Sequence, residues 1–226
     1  MSGRLSSMDV MRAPLERVTP LALPGVRLTR WGAVTLVAVA AVVIVGVRRD
    51  WALALWSGPA WLHSSLLAAT AACGAWAALR LAIPGEAKPG VVAWPLALAG
   101  AWVASVVGEL ATGAVPFDVA AAGLGWRCIV RAAVGAAIPG SVLFMLVQRA
   151  YPLNVRPTAV ALATSTVAVG ELAAEWMCPN MRVMHLLAWH VAPLLAVIAL
   201  AAIAPRLAVG SDGTWRGLRP TGEASR

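Results

Sequence analysis

Cys128, Arg131, Glu171, Glu175 and Cys178 are the side chains whose reactivity or charge has consequences where they stand, because each falls inside or at the edge of a long apolar run. A thiol can be oxidised, can ligate a soft metal, and becomes a nucleophile once deprotonated. The three-residue intervals from Cys128 to Arg131 and from Glu175 to Cys178 place each pair on one face of a helix. An arginine near the bilayer centre costs roughly 2–3 kcal/mol on insertion scales, and less near the edge, unless it is paired or wet. Glu175, or Glu171 one turn deeper, is therefore the expected partner of Arg131. If the two runs pack antiparallel, residues at equal depth have numbers of constant sum. Cys128 with Cys178 and Arg131 with Glu175 share one sum, so a single register levels both pairs. A disulfide between the two cysteines is chemically allowed in an oxidising compartment if their Cα atoms come within about 7 Å.

Other chemistries find less support. There is no CxxC pair, which argues against a dithiol exchanger. Cys73, in the middle of an alanine-rich run, reads as a small buried hydrophobe. His185 follows Cys178 after six intervening residues, a spacing that matches no closed zinc site, and a third ligand would have to be Glu175 or Cys128. His63 and His190 have no partner by spacing and read as interfacial or packing residues. No nucleophile with an evident base, phosphate loop or zincin motif is present, so neither catalysis nor a metal or other cofactor is expected. The intramembrane charges Arg131, Glu171 and Glu175 also permit a second reading, a small-solute or ion transporter. The two halves, however, carry no matching interrupted segments of the kind such folds use.

The elements that must position these groups follow from composition. At 60% hydrophobic and 12% charged residues, with a mean hydropathy of +0.78, the 226-residue chain is far more apolar than a soluble domain. Eleven Trp against one Tyr and two Phe skew the aromatics towards the residue that favours membrane interfaces. Runs long enough to cross about 30 Å of hydrocarbon as helix lie at 31–47, 59–83, 91–110, 128–147, 158–177 and 185–204. The expected fold class is all-α, a polytopic membrane protein built as a six-transmembrane-helix bundle. Pro95, Pro139 and Pro193 predict kinks, and abundant Gly and Ala suit close helix packing in lipid.

The formal charge of +8 is explained mainly by topology. Alternating the loops puts thirteen Lys and Arg residues on the side of both termini and four on the other, with Arg131 inside a span. That bias places both termini in the cytoplasm and gives direct nucleic-acid binding little support. Roughly thirty mostly polar residues ahead of the first run, with no small-residue site ending it, argue against a cleaved signal peptide. The chain thus divides into a cytoplasmic arm (1–30), a transmembrane domain (31–204) and a cytoplasmic tail (205–226). Only arm and tail are long enough to meet a soluble partner. The tail has turn and disorder composition. In the arm, Ser7 can cap a short helix displaying Met8, Val10, Met11 and Leu15, with Asp9 in its first turn, Pro14 limiting its length and Arg17 beyond.

These features together resemble the NrsF-type membrane anti-sigma proteins, negative regulators of extracytoplasmic-function sigma factors, over roughly residues 15–208. The resemblance rests on the six-span plan and the basic, Pro-containing approach from Arg17 to Arg30. It also rests on Arg80-Leu81-Ala82-Ile83-Pro84-Gly85 closing the second span, the lone Cys128 opening the fourth, and the closing Pro205-Arg206-Leu207. Its most specific piece is Cys178-Pro179 ahead of a span carrying Trp189-His190. The family tends to have His before the Cys-Pro pair, an acidic residue after it, and Trp-Tyr later; this chain has Met177, Asn180 and Trp189-His190. The resemblance implies that the arm holds a sigma factor at the bacterial inner membrane and that outward-facing Cys128 and Cys178 help sense oxidant or heavy-metal stress.

Overall fold

The computed structural model describes residues 20–54, 58–85, 88–111, 123, 125–150, 152–180 and 182–208. Among these residues the chain is helical without strands, and six helices are long and apolar enough to cross a membrane. They are α1 (Pro24–Gly46), α2 (Gly58–Leu81), α3 (Ala93–Ala111), α4 (Trp126–Gln148), α5 (Val155–Met177) and α6, whose span runs Val183–Ala204. The protein is an all-α, six-helix integral membrane bundle. Residues 1–19 of the arm, with Met8, Val10, Met11, Leu15 and Arg17, and residues 209–226 of the tail lie outside the described residues.

Local chemistry explains where the helices differ from the apolar runs. α1 opens at Pro24, seven residues before the run at 31, because proline has no N–H to lose in the first turn and its fixed φ suits a helix start. The early turns carry Arg27, which is buried and donates to the carbonyl of Leu146 on α4. His63 and Ser64 do not interrupt α2; both face inward and are buried. α6 is composite, with α-helix at Val183–Leu186, a π turn at Leu187–Val191 and α-helix again over Ala192–Ala208. The wide turn precedes Pro193, which cannot donate to the carbonyl of Trp189 and would clash with it in a regular helix.

Helix α5 runs through the middle of the bundle, against α2, α4 and α6. Its approach to neighbours depends on small residues. A Cβ at Gly170 would lie 2.4 Å from the backbone oxygen of Ala132 on α4, and one at Gly74 of α2 would lie 2.9 Å from the Ser165 nitrogen. Ser165 donates its hydroxyl to the carbonyl of Ala71 at 2.8 Å, tying α5 to α2. Gly140 faces Thr166 and Gly170 faces Ala136. These pairs have the same number sum as Cys128 with Cys178, so the antiparallel register between α4 and α5 levels the two cysteines. Cys73 is half-buried, not fully enclosed.

The distribution of polarity is the reverse of a soluble core. Val45 is 90% exposed and Leu36, Val37, Ile44 and Leu200 also face outward, whereas Thr70, Thr164, Ser165, Glu171, Glu175, His185 and His190 are buried. Lipid solvates the apolar exterior, and the interior polar groups must find partners within the protein. Two ends of the bundle are distinguishable. Near one lie Pro24, Arg27 and Leu146. At the other, the Arg48 amide just past α1 donates to the Trp176 carbonyl of α5 at 3.1 Å, and Gly46 lies against the Met177 side chain. There Arg48 also pairs with Asp50 (Nε to Oδ1 2.6 Å), a hydrogen bond that holds the aspartate carboxyl down to about 2.

Close backbone approach at Gly170 gives the first prediction. Gly170→Ala should push α4 from α5 and destabilise the bundle by about 1–3 kcal/mol, lowering the thermal midpoint in detergent. Gly100→Ala, where a Cβ meets nothing within 4 Å, should leave it unchanged.

Candidate functional site: a buried thiol and imidazole cluster

Cys128 lies in the first turn of α4, where its amide donates to the Gly125 carbonyl at 2.8 Å. Cys178 is the C-cap of α5, held in extended backbone just before Pro179. The two sulfurs are 3.4 Å apart and both are buried and unbridged. His185, from the first turn of α6, brings Nε2 to 3.4 Å from each sulfur. Cys178 also contacts the carbonyl of Asn180 at 3.2 Å.

His190 completes the group. Five residues along a regular helix turn a side chain by about 140° from its starting direction, which would send His185 and His190 to different sides. The wider π turn from Leu187 to Val191 removes much of that angle, and the rings face each other with centroids 5.8 Å apart. The donor atoms of Cys128, Cys178, His185 and His190 all lie within 4.8 Å of one another, and all four residues are buried. Two soft thiols and two imidazoles at this separation are a donor set able to hold one metal ion.

Glu171 stands behind His190, with Oε2 at 2.7 Å from Nδ1 and both side chains almost fully enclosed. With the carboxylate accepting, Nδ1 carries the ring proton and Nε2 points away from Glu171. That Nε2 is buried without a hydrogen-bond partner. Leaving such an atom unsatisfied costs about 1–3 kcal/mol.

The expected pairing of Arg131 with Glu175 or Glu171 does not form. Arg131 donates Nη1–H to the carbonyl of Met177 at 2.7 Å. Met177 is the last residue of α5, whose final carbonyls have no intrahelical donor, and a cation there also meets the negative end of the helix dipole. A common register fixes depth but leaves azimuth open. Glu175 is turned towards α2, where His63 Nδ1 lies 3.6 Å from Oε1, while Nε2 of the same ring lies 3.5 Å from Glu109 of α3. Trp102 of α3 packs edge-on against His63 at 6.4 Å between centroids.

The expectation that His63 and His190 lack partners is therefore corrected: both are embedded in polar contacts made by other helices. The reading of Cys178 with His185 as no closed site omitted the fourth donor. Pro193, three residues beyond His190, was the sequence signal, because a widened turn ahead of proline brings the two histidines together. Trp189 lies against Gly123 and Gly125: its indole donates to the Gly123 carbonyl at 3.1 Å, and any Cβ at Gly125 would come within 2.1 Å of its ring.

A six-span bundle with a polar cluster enclosed at one end defines a polytopic membrane protein whose special chemistry is internal. Comparison by sequence identifies it further: the family of negative regulators of sigma F, NrsF, matches residues 12–209, and the chain belongs to that family. Its role is thus negative regulation of a sigma factor. No curated protein and no solved structure matched the chain.

Sulfurs at 3.4 Å need to close by only about 1.4 Å to bond at about 2.05 Å. Mild oxidation of the purified protein should link Cys128 to Cys178, with Cys73 remaining alkylatable in the peptide map. A linkage involving Cys73 in its place would contradict this geometry.

Proposed function

We propose that the protein is a non-catalytic anti-sigma factor of the bacterial inner membrane, with both termini in the cytoplasm. Residues 1–30 hold an extracytoplasmic-function sigma factor, using Met8, Val10, Met11, Leu15 and Arg17. Cys128 and Cys178 act as the sensing thiols on the opposite face, supported by Arg131, Glu171 and Glu175. One observation carries this reading: the two thiols meet at the end of the bundle remote from Pro24, where the arm joins α1. Membership of the family supplies the sigma factor as partner, and the loop charge bias supplies the orientation.

The chemistry is simple. Hydrogen peroxide can take the two thiols to a disulfide: each sulfur loses a hydrogen, the peroxide O–O bond breaks, and two waters leave. A thiophilic metal ion can instead displace the thiol protons. Either changes the link between α4 and the α5–α6 connection. α1, which carries the arm, is bonded to both partners: Arg27 to Leu146 and Trp31 Nε1 to the Pro139 carbonyl (3.0 Å) on α4, and Arg48 to Trp176 on α5. A shift of α4 against α5 must therefore be borne by α1. The change in sigma affinity equals the difference in free energy of modification between the holding and releasing states, with about 1.4 kcal/mol for each tenfold.

Deleting residues 1–24 should abolish sigma retention in a membrane pull-down while insertion is preserved; recovery of the sigma factor with the truncated protein would refute the arm. The double variant Cys128→Ser, Cys178→Ser should retain sigma yet release it several-fold less under oxidant or metal stress. An unchanged response would remove the sensor role.

A further inference from the structure

We infer that Cys128, Cys178, His185 and His190 form a zinc site in the resting protein, with Glu171 as the residue that orients His190. The inference deepens the sensor reading above by naming what occupies the sulfurs before any stress, so that oxidation to the disulfide would release the zinc and a more thiophilic ion would displace it in place of the thiol protons; it rests on that reading only for its regulatory meaning. Its geometry stands alone. Tetrahedral zinc with Zn–S of about 2.3 Å and Zn–N of about 2.0–2.1 Å sets a sulfur–sulfur edge of about 3.8 Å and a sulfur–nitrogen edge of about 3.6 Å. The sulfur–sulfur distance is 3.4 Å, and both His185 Nε2–sulfur distances are 3.4 Å. Three of the six donor separations are thus already close to the required size, and the donors as a set lie within 4.8 Å of one another, so outward shifts of the sulfurs and an inward shift of His190 would accommodate the ion.

Three further features point the same way. His190 is 1% exposed, its Nε2 is unpartnered, and the residue belongs to the set of converging donors. Glu171 bonded to Nδ1 makes the carboxylate–histidine–metal arrangement that fixes the tautomer and raises ligand basicity. Two thiolates cancel the charge of a divalent ion, so filling the site releases two thiol protons and adds no net charge of the site's own to a bundle interior that tolerates charge poorly. Four protein ligands with no open position are the pattern of a structural zinc site rather than a catalytic one. The π turn of α6 is what allows both histidines to contribute, so it serves the site directly.

The test uses the full chain purified in detergent under reducing conditions. Elemental analysis should find about one zinc per chain. Cobalt(II) added to the metal-free protein should give the intense visible bands of a tetrahedral ion together with thiolate-to-cobalt charge transfer. Cys128→Ser and His190→Gln should lose the zinc, and Glu171→Gln should weaken its binding by roughly 10- to 100-fold. Cobalt spectra of the unaltered chain keep the test decisive if a variant fails to fold. Absence of bound zinc together with octahedral or thiolate-free cobalt spectra would overturn the proposal, as would copper in place of zinc, or undiminished zinc in folded Cys128→Ser. A protein that holds zinc through these residues but fails to release sigma would sink the sensor reading and leave the metal site standing.

Discussion

Glu171 and His190 meet at 2.7 Å between α5 and α6, almost wholly withdrawn from solvent, and both must be satisfied from within the protein. In a membrane-spanning bundle there is no cheap route to water for either group, so their contact constrains everything near it. The imidazole turns its other nitrogen away from the carboxylate that holds its first, and the ring stays within 4.8 Å of the two sulfurs and His185. α6 must widen into a π turn to bring His185 to the same place. Cys128 then arrives from α4 and Cys178 from the end of α5, and this end of the bundle is held by side chains of low abundance in an otherwise apolar chain.

The remaining polar groups of that end serve helix termini and one another. Arg131 occupies the carbonyl of Met177 and so fixes the last turn of α5 just before Cys178. The Arg48 amide does the same for Trp176 from the end of α1. The C-terminus of α5 is thus held by α4 and α1 together. The opposite end has its own tie, from Arg27 to Leu146. Such cross-helix bonds to backbone carbonyls act together with close packing to set the arrangement, because lipid solvates apolar surface as well as a neighbouring helix does and the hydrophobic effect adds little between helices.

Close packing supplies the other constraint. Gly170 and Gly74 let α5 approach α4 and α2 to backbone distance, and Gly140 makes room for the Thr166 side chain. That approach is also what sets the register of the cysteines: with α4 and α5 interlocked at glycine, neither helix can slide without a clash. Side chains only one residue away in depth would leave the sulfurs separated by an additional helical rise of about 1.5 Å. The small residues that look like filler in the sequence therefore determine how near two reactive atoms lie.

The sequence by itself determined the six helices, their approximate limits and the levelling of Cys128 with Cys178, because span length, apolarity and antiparallel register are one-dimensional properties. It also carried the resemblance to the family that the chain proves to belong to. Azimuth was not legible. Arg131 and Glu175 are level, yet one turns to a helix end and the other to His63, since rotation about a helix axis depends on partners from α2 and α3 that no local spacing reveals. His190 was invisible for a related reason: five residues from His185 is the wrong interval for an α-helix, and only the π turn ahead of Pro193 makes it the right one. Tertiary structure alone decided that two thiols and two imidazoles converge, because convergence needs directions as well as depths.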